Sequence, residues 1–176
     1  MKQYPETKFA ATVRRGISAG LTVAMMIVLT ASDVVNSEEA PVYAPVYMTR
    51  AELEQSVKYI APTPLHTTGK IYFYNPYIFI NEQYKGVHVI NNSEPKNPVN
   101  EGFITAPGCM DMAVKDGILY LDNAVDIVAF NLSTRQVTER IKEVLPAPTP
   151  PEGYYSYRND SELAPDLVLV GWRQTN

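Results

Sequence analysis

The feature that most constrains the fold is an internal repeat in the middle of the chain. Two pairs of segments align at offsets of 41 and 40 residues, 77–81 with 118–122 and 87–93 with 127–133. Self-similarity at a period of about 40, with several apolar runs in each period, is typical of propeller blades and related β-repeats. The sequence therefore predicts a mostly β fold. It consists of two antiparallel, propeller-blade-like repeats, residues 70–108 and residues 109–145, that make an incomplete propeller.

The alignment also predicts which side chains occupy equivalent places in the two repeats. It pairs Phe79 with Tyr120 and Ile90 with Phe130. The run 71–80 is unusually apolar and aromatic, which is typical of strands buried on both faces. Segment 136–145, late in the second repeat, mixes charged and apolar residues on one face. We therefore predict that it is a strand at the edge of a sheet.

Residues 1–32 are predicted to be a signal peptide outside the fold. Basic residues precede fifteen uncharged ones, 17–31, a length short for a bilayer span but suited to a signal peptide. Thr30-Ala31-Ser32 has the small-x-small pattern that places cleavage before Asp33, and an uncleaved membrane anchor is the alternative. Ser32 stands where a bacterial lipobox has its lipidated cysteine, and a serine has no thiol to lipidate. We therefore expect an exported protein of the periplasm or cell surface without a lipid anchor.

The segments on either side of the repeats are predicted to be mostly irregular. Residues 33–69 read as an extended linker that contains one short helix, 49–60, which begins with a capping-box pattern at Thr49. Residues 146–176 are rich in Pro and Tyr and end in an apolar strand, 166–172. We expect this last strand to join the sheets of the repeats.

The charge balance argues against nucleic acid as a partner. The whole chain carries a net charge of −4, and from Asp33 onward 18 acidic residues stand against 11 basic ones. Binding to a phosphate backbone needs a concentrated basic face, which this composition does not supply. The single cysteine, Cys109, excludes an internal disulfide and is expected to be a small buried residue.

No pattern predicts a catalytic, cofactor or metal site. Four aspartates invite a calcium interpretation: Asp111, Asp116, Asp122 and Asp126. None of them forms the run of a calcium loop, so we expect all four to be structural residues of turns. His66 and His88 have no neighbour at metal-ligand spacing, and His88 is expected to be partly exposed in mid-strand. No serine stands in a nucleophile-elbow pattern, so we expect neither an enzyme nor a cofactor.

Aromatic side chains are the strongest binding signal in the sequence. The chain has twelve Tyr, and rings at strand spacing either stack on the CH faces of sugars or pack as core and cross-strand partners. Both interpretations stay open. The candidate binding aromatics are Tyr72, Tyr74, Tyr84, Tyr154, Tyr155 and Trp172.

Several motifs resemble the LVIVD-repeat family, a β-propeller-like group of exported proteins and lipoproteins common in gut Bacteroidetes. The segments that carry the resemblance are 69–72, 77–82, 85–93, 110–115 and 126–130, and 166–170 matches the name-giving pattern loosely. The similarity covers roughly residues 48–145. It implies a β-propeller-like envelope protein, but longer members of the family have several more repeats, and relatives have a cysteine at the position of Ser32. The family offers no established catalytic residues to carry over.

The residues and the resemblance together predict a non-enzymatic, exported β-repeat module with a binding or scaffold role at the bacterial envelope. The expected partner is a protein or a glycan. A truncated fragment of a larger propeller and an envelope hydrolase remain as alternatives. Two blades leave two outer faces uncovered, so self-association through those faces is also expected.

Overall fold

The described part of the chain is mostly β-strand and forms three separate sheets. The computed structural model describes residues 42–151, the backbone of residues 154–155, and residues 164–175. In order, the elements are β1 (Val42–Thr49), α1 (Arg50–Glu54), β2 (Lys58–Ile60), β3 (Thr68–Tyr74), β4 (Tyr77–Glu82), β5 (Gly86–Asn91), β6 (Val99–Thr105), β7 (Met112–Lys115), β8 (Ile118–Asn123), β9 (Asp126–Asn131), β10 (Gln136–Ile141), β11 (Tyr154–Tyr155) and β12 (Leu167–Gln174). The predicted fold class is confirmed: several antiparallel sheets form, and none of those in the described residues is closed.

The first predicted repeat forms four strands of a five-stranded antiparallel sheet, and β2, from the segment before the repeat, adds the fifth. The strand order is β2-β6-β5-β4-β3. Phe79 on β4 lies opposite Val89 on β5, and directly opposed residues present their side chains on the same face. Both side chains are buried. We call this buried side the inner face of the five-stranded sheet.

The second predicted repeat forms a four-stranded antiparallel sheet with the order β10-β9-β8-β7. Leu119 on β8 lies opposite Phe130 on β9, and both are buried on the inner face of this sheet. Strand β10 lies at the edge, as predicted.

The two inner faces pack against each other and form the main hydrophobic core. Its largest side chains, Phe79 and Phe130, are 0% and 1% exposed. Shorter apolar residues from both sheets complete the cluster, among them Val87, Ile104 and Val128. Full burial of each such side chain contributes about 1.5–3 kcal/mol, so this contact is the largest apolar contribution in the described fold.

The predicted equivalence of side chains between the repeats is wrong by one residue. Phe79 is fully buried, whereas Tyr120 is 42% exposed and lies on the opposite side of its sheet. Ile90 likewise does not share the environment of Phe130, because Ile90 lies opposite Ile78 rather than opposite an inner-face residue. Side chains alternate along a strand, so a slip of one residue exchanges the two faces.

The turn that follows β5 and β9 does repeat at the predicted offset. The Ser93 backbone N–H donates to Asn91 Oδ1 at 2.8 Å, and the Ser133 N–H donates to Asn131 Oδ1 at 2.9 Å. An asparagine side chain that bonds two residues ahead mimics a backbone turn. The hydrogen bonding of these turns is therefore repeated, although the side chains of the strands before them do not lie on equivalent faces.

The third sheet corrects the prediction that residues 33–69 are a linker. Strand β1 pairs antiparallel with β12, and β11 adds two residues parallel to β1. The predicted C-terminal strand exists, but it pairs with β1 instead of joining the sheets of the repeats. Strand β1 contains Pro45, and a proline is tolerated in a strand where that strand lies at an edge. In the described residues, β11 pairs with Val42 and Tyr43 only, so one side of β1 is an edge at Pro45.

The predicted helix 49–60 is right at its start and wrong at its end. Thr49 caps α1 through the predicted capping box, with its Oγ1 accepting from the Glu52 N–H at 3.2 Å. The helix ends at Glu54, and Lys58–Ile60 is strand β2 instead. Thr105 holds this strand on β6, because its Oγ1 accepts from the Lys58 N–H at 3.0 Å. Pairing with β6 thus overrides the helical spacing.

The third sheet and α1 lie over the hairpin turns at one end of the two packed sheets. Val170 of β12 shares a small apolar cluster with Leu53 of α1 and Ala124 of the β8–β9 turn. Gly171 lies against Tyr84 of the β4–β5 turn so closely that an added Cβ would come within 2.7 Å of the tyrosine Cβ. The two turns are therefore covered by segments from both ends of the described chain.

A buried carboxylate fixes α1 to β9 and β10. Asp126 is fully buried, and its Oδ2 accepts from Arg50 Nη1 and Arg140 Nη1, each at 2.7 Å. The Glu143 N–H donates to Oδ1 at 3.0 Å. Burial opposes ionisation, but the hydrogen bonds from Arg50, Glu143 and Arg140 outweigh it and lower the pKa of Asp126. Asp126 was expected to be a local turn residue, but in the structure it also joins separate elements through Arg50 and Arg140.

All described residues belong to one structural unit that spans Ala40–Asn176. The predicted signal peptide, residues 1–32, lies outside the described residues. Within the part of the chain that the structure describes, no helix has the length and hydrophobicity needed to cross a membrane.

Because Phe79 and Phe130 fill the space between the two sheets, replacing either by alanine should lower the free energy of unfolding by about 3–5 kcal/mol. The matched control is Phe73→Ala, since Phe73 is 62% exposed on the other side of the five-stranded sheet. Urea unfolding of the three variants checks this. A loss below about 1 kcal/mol at both core positions would contradict the described packing.

Asp126→Asn should cost about 3 kcal/mol in unfolding free energy, because it leaves two partly buried guanidinium groups without their buried carboxylate. Glu54→Gln is the control: its pair with Lys142, at 2.6 Å, is largely exposed and should contribute no more than about 1 kcal/mol. Equal losses in the two variants, measured by urea unfolding, would show that the Asp126 network does not stabilise the fold.

Candidate functional site

Two of the candidate binding aromatics are packing residues. Tyr72 and Tyr74 of β3 are partly buried against the main core. The Tyr72 hydroxyl donates to the carbonyl of Val114 at 3.3 Å and so joins the five-stranded sheet to β7. The cross-strand interpretation of these two rings therefore accounts for their contacts.

Two more candidates hold the Pro-rich segment that follows the repeats. The Tyr84 hydroxyl donates to the carbonyl of Thr149 at 2.8 Å, and Trp172 Nε1 donates to the carbonyl of Pro148 at 3.0 Å. The side chains of Tyr154 and Tyr155 lie outside the described residues; only their backbone, in β11, is described. The four described candidates do not form one shared exposed surface.

The aspartates that invited a calcium interpretation are tied to protein partners. Lys70 Nζ lies 2.5 Å from Asp111 Oδ1, and the Asp111 N–H donates to Asp122 Oδ2 at 2.9 Å. Asp116 lies exposed in the β7–β8 hairpin turn with a φ of 50°. Among the described residues, no group of three or more His, Cys, Asp or Glu side chains is arranged to hold a metal ion.

Cys109 is the small buried residue that was predicted. It is fully buried, and burial raises the pKa of its thiol far above the usual range, with the nearby Asp122 charge acting in the same direction. Asn81 Nδ2 donates to its sulfur at 3.3 Å. A thiol that stays protonated at every physiological pH is a poor nucleophile.

His88 is not partly exposed, as was expected, but fully buried beside Glu82. Its Nε2 lies 3.1 Å from Glu82 Oε2, and a carboxylate only accepts, so Nε2 carries the proton in this contact. Glu82 also accepts from the His66 N–H at 3.0 Å and from Lys85 Nζ at 3.0 Å. The pair is covered because the segment between β2 and β3, which contains His66, crosses this side of the sheet.

Glu82 keeps its charge despite its burial. Burial opposes ionisation, but the hydrogen bonds from His88, the His66 N–H and Lys85 outweigh it and lower the pKa of Glu82 to about 2. The carboxylate therefore binds the β2–β3 segment to the hairpin of β4 and β5. Its role in the described structure is structural.

The side of the five-stranded sheet that faces away from the core carries an exposed apolar surface. Ile71 and Phe73 of the edge strand β3 are 66% and 62% exposed, which contradicts the prediction that run 71–80 is buried on both faces. Their cross-strand partners continue the surface. We call the five residues the five-strand outer face: Ile71, Phe73, Ile78, Ile80 and Ile90.

The four-stranded sheet has a smaller surface of the same kind. Tyr120 lies opposite Ala129, and Ile127 lies opposite Ile141, so these side chains share the side away from the core. Together with Glu139 they border a shallow depression of about 40 Å³. We call Tyr120, Ile127, Ala129 and Ile141 the four-strand outer face.

A third candidate is a cleft between the two sheets, at the end opposite α1. Its floor is apolar, and its walls carry two tyrosines, one acid and one base. The cavity is about 50 Å³ and opens to solvent. The lining residues of this inter-sheet cleft are Tyr59, Tyr77, Phe79, Val89, Glu101, Phe130, Leu132 and Arg135.

Sequence reasoning did not find the polar residues of the cleft. Tyr59 was assigned to a helix, where its ring would have had no defined partner. Glu101 and Arg135 lie in a weak strand and a turn without a motif. The alternation of Val57 and Tyr59 is the one local signal for a strand here, and it is only three residues long.

Glu82→Gln should lower the unfolding free energy at neutral pH by roughly 2–3 kcal/mol. It should also remove part of the decrease in unfolding free energy that occurs at acidic pH. The folded pKa of about 2 lies below the ordinary value of 4.5. The carboxylate therefore contributes stability above about pH 4.5, and this contribution is lost as the pH falls towards 2. The difference between wild type and Glu82→Gln, measured by urea unfolding, should shrink over that window.

Glu94→Gln is the control for this titration, since Glu94 is exposed in the β5–β6 connection. It should change the unfolding free energy at neutral pH by no more than about 0.5 kcal/mol. A difference between wild type and Glu82→Gln that stays constant from pH 7 to about pH 2 would contradict the assigned role of the Glu82 charge.

Comparison with known proteins adds no relative. No protein-family model, no curated protein and no solved structure matches the chain.

Proposed function

We propose that this protein is a non-catalytic, exported binding module that assembles with further copies of itself through its two outer sheet faces. The observation that carries the proposal is the exposure of Ile71 and Phe73, 66% and 62%, on the edge strand of an apolar sheet surface. Contiguous apolar surface that a monomer leaves in water marks an interaction site. Charged residues or a covering loop normally protect such an edge strand from pairing.

Among the described residues, Ile71 and Phe73 of the five-strand outer face remain exposed, whereas Ile78, Ile80 and Ile90 are partly buried. Helix α1 packs with the third sheet through Leu53, and β12 is paired with β1. The segment between β2 and β3 covers His88 and Glu82 but leaves Ile71 and Phe73 exposed. A partner molecule that packs on this face would bury Ile71 and Phe73.

The chain itself supplies a matching surface. Inside the molecule, a five-stranded sheet already packs on a four-stranded sheet through apolar side chains. The five-strand outer face of one copy and the four-strand outer face of the next would repeat this kind of contact between molecules. Such a contact is heterologous, since it joins two different surfaces, and it builds rings or open chains of copies.

Two features of the sequence support the placement of this module at the bacterial envelope. A basic stretch followed by the uncharged run 17–31 is typical of an export signal. The motifs that resemble the LVIVD-repeat family point to the same location and to a propeller-like arrangement of repeats.

Two single substitutions separate the faces. Phe73→Asp places a charge in the five-strand outer face and Tyr120→Asp places one in the four-strand outer face; both positions are exposed, so the fold should persist. At micromolar concentration, light scattering should show oligomers for wild type and monomers for each variant. An equimolar mixture of the two variants should form a dimer, because one intact face remains on each.

Val144→Asp is the matched control, since Val144 is exposed but belongs to neither face, and it should associate like wild type. Melting curves establish that all variants are folded. A monomeric wild type would refute the proposal, and a mixture of the variants that stays monomeric would refute the pairing of unlike faces.

A further inference from the structure

We infer that Tyr84 and Trp172 form a recognition groove for a proline-rich, extended peptide. Residues 146–151, the Pro-rich segment, occupy this groove from within the same chain, and the occupant that competes with them is the same segment of a second copy. The inference goes beyond the proposed function, because neither aromatic residue belongs to an outer face. It stands on the hydrogen bonds, the burial and the surroundings of the Pro-rich segment.

The composition of the Pro-rich segment decides how it can be held. Its sequence is Pro-Ala-Pro-Thr-Pro-Pro, and it belongs to no helix or strand. Each proline fixes φ at about −65° and has no N–H to donate, which favours the polyproline II conformation. That conformation has no internal hydrogen bonds, so its carbonyl groups accept from water or from groups outside the segment.

Two aromatic side chains supply donors to consecutive carbonyl groups of the segment. Trp172 Nε1 donates to the carbonyl of Pro148 at 3.0 Å, and the Tyr84 hydroxyl donates to the carbonyl of Thr149 at 2.8 Å. Aromatic-lined grooves bind proline-rich peptides in this extended conformation, which costs little to order because it already exists in the free peptide. The contacts of Tyr84 and Trp172 therefore have the chemistry of proline-rich recognition.

Burial along the segment also fits a ligand in a groove. Pro148 is buried, whereas its two neighbours, Ala147 and Thr149, are exposed. The anchoring ring and the two accepting carbonyl groups therefore lie on adjacent residues. A separate peptide with the same sequence would make these contacts without a covalent connection to the groove.

Elements outside the Pro-rich segment position the two donors. Trp172 lies on β12, which pairs with β1. Tyr84 packs against Gly171 of the same strand, where an added Cβ would come within 2.7 Å of the tyrosine Cβ. The lack of a side chain at Gly171 thus lets Tyr84 approach β12 beside Trp172.

The Pro-rich segment is attached more weakly than the strands around it. It is not part of a sheet, and a cavity of about 310 Å³ lies between it and residues such as Gly108 and Asp122. Segments with few buried contacts open at a lower free energy than the core. Exchange between copies rests on the proposed function, because assembly raises the local concentration of neighbouring segments, whereas the groove itself does not.

Fluorescence makes the groove observable, because Trp172 is the single tryptophan of the chain. The test uses the full chain with Phe73→Asp, which prevents association through the outer faces. Adding Pro148→Gly and Pro150→Gly loosens the Pro-rich segment and should shift the Trp172 emission to longer wavelength. A capped peptide of residues 146–151 should reverse this shift.

Binding of the same peptide, labelled for fluorescence polarisation, gives its affinity. The loosened variant should bind about tenfold or more tightly than the Phe73→Asp parent, in which the tethered segment competes. In the loosened variant, Tyr84→Phe removes one donor and should weaken binding about fivefold. Tyr120→Phe is the matched control, since it removes an exposed hydroxyl outside the groove, and it should leave the affinity unchanged.

A peptide with alanine at the position of Pro148 is the ligand control and should bind more weakly. If the loosened variant does not fold, Tyr84→Phe in the otherwise intact parent should increase iodide quenching of Trp172, and Tyr120→Phe should not. The inference is overturned if the peptide does not bind the loosened variant, if the alanine peptide binds as tightly, or if Tyr84→Phe and Tyr120→Phe behave alike. Failure of outer-face association would leave these results unchanged, so the two proposals fail separately.

Discussion

The packing of the five-stranded sheet on the four-stranded sheet is the contact on which the rest of the structure depends. Phe79 and Phe130 meet between the sheets, and every strand of both repeats contributes to the core around them or to its borders. A sheet whose side chains alternate can bury only one face in this way. The same contact that stabilises the fold therefore leaves the outer faces to be covered by something else.

Buried carboxylates act together with apolar contacts such as that of Leu53 to hold the connecting segments on this core. Glu82 binds the segment between β2 and β3, and Asp126 binds α1 and β10. Each accepts hydrogen bonds from more than one element, so each outweighs the cost of its own burial. Because burying a charge is unfavourable without such partners, these two residues also favour one arrangement of the segments over others.

Local patterns in the sequence predict the elements whose determinants are local. The strands of both repeats and the capping box of α1 follow from alternation and from Thr49 and Glu52, which are three residues apart. The end of α1 does not, because β2 exists only through its pairing with β6, more than forty residues further along. Strand β1 is the extreme case, since β12 lies over a hundred residues away.

The side of the sheet on which a side chain lies, and its exposure, are harder to predict than the strands themselves. An alignment that is one residue out of register still predicts the strands, but it assigns each side chain to the wrong face of the sheet. Phe79 and Tyr120 show this, because the first is buried and the second is exposed. The same limit hides the cleft: Tyr59, Glu101 and Arg135 come from separate segments, and only the pairing of β2 with β6 brings Tyr59 to the others. The apolar run 71–80 was expected to be covered on both sides because composition alone carries no information about what lies next to a strand.

The pairing of β1 with β12 has a consequence for how the chain is made. The contact between Thr175 and Val42 joins residues 133 positions apart. Strand β1 therefore leaves the ribosome first among the strands described and has no partner strand until β11 and β12 follow. Contacts of such long separation form late. During synthesis the two repeats can pack while their hairpin turns are still open to water, and only the arrival of the final residues closes that end of the molecule.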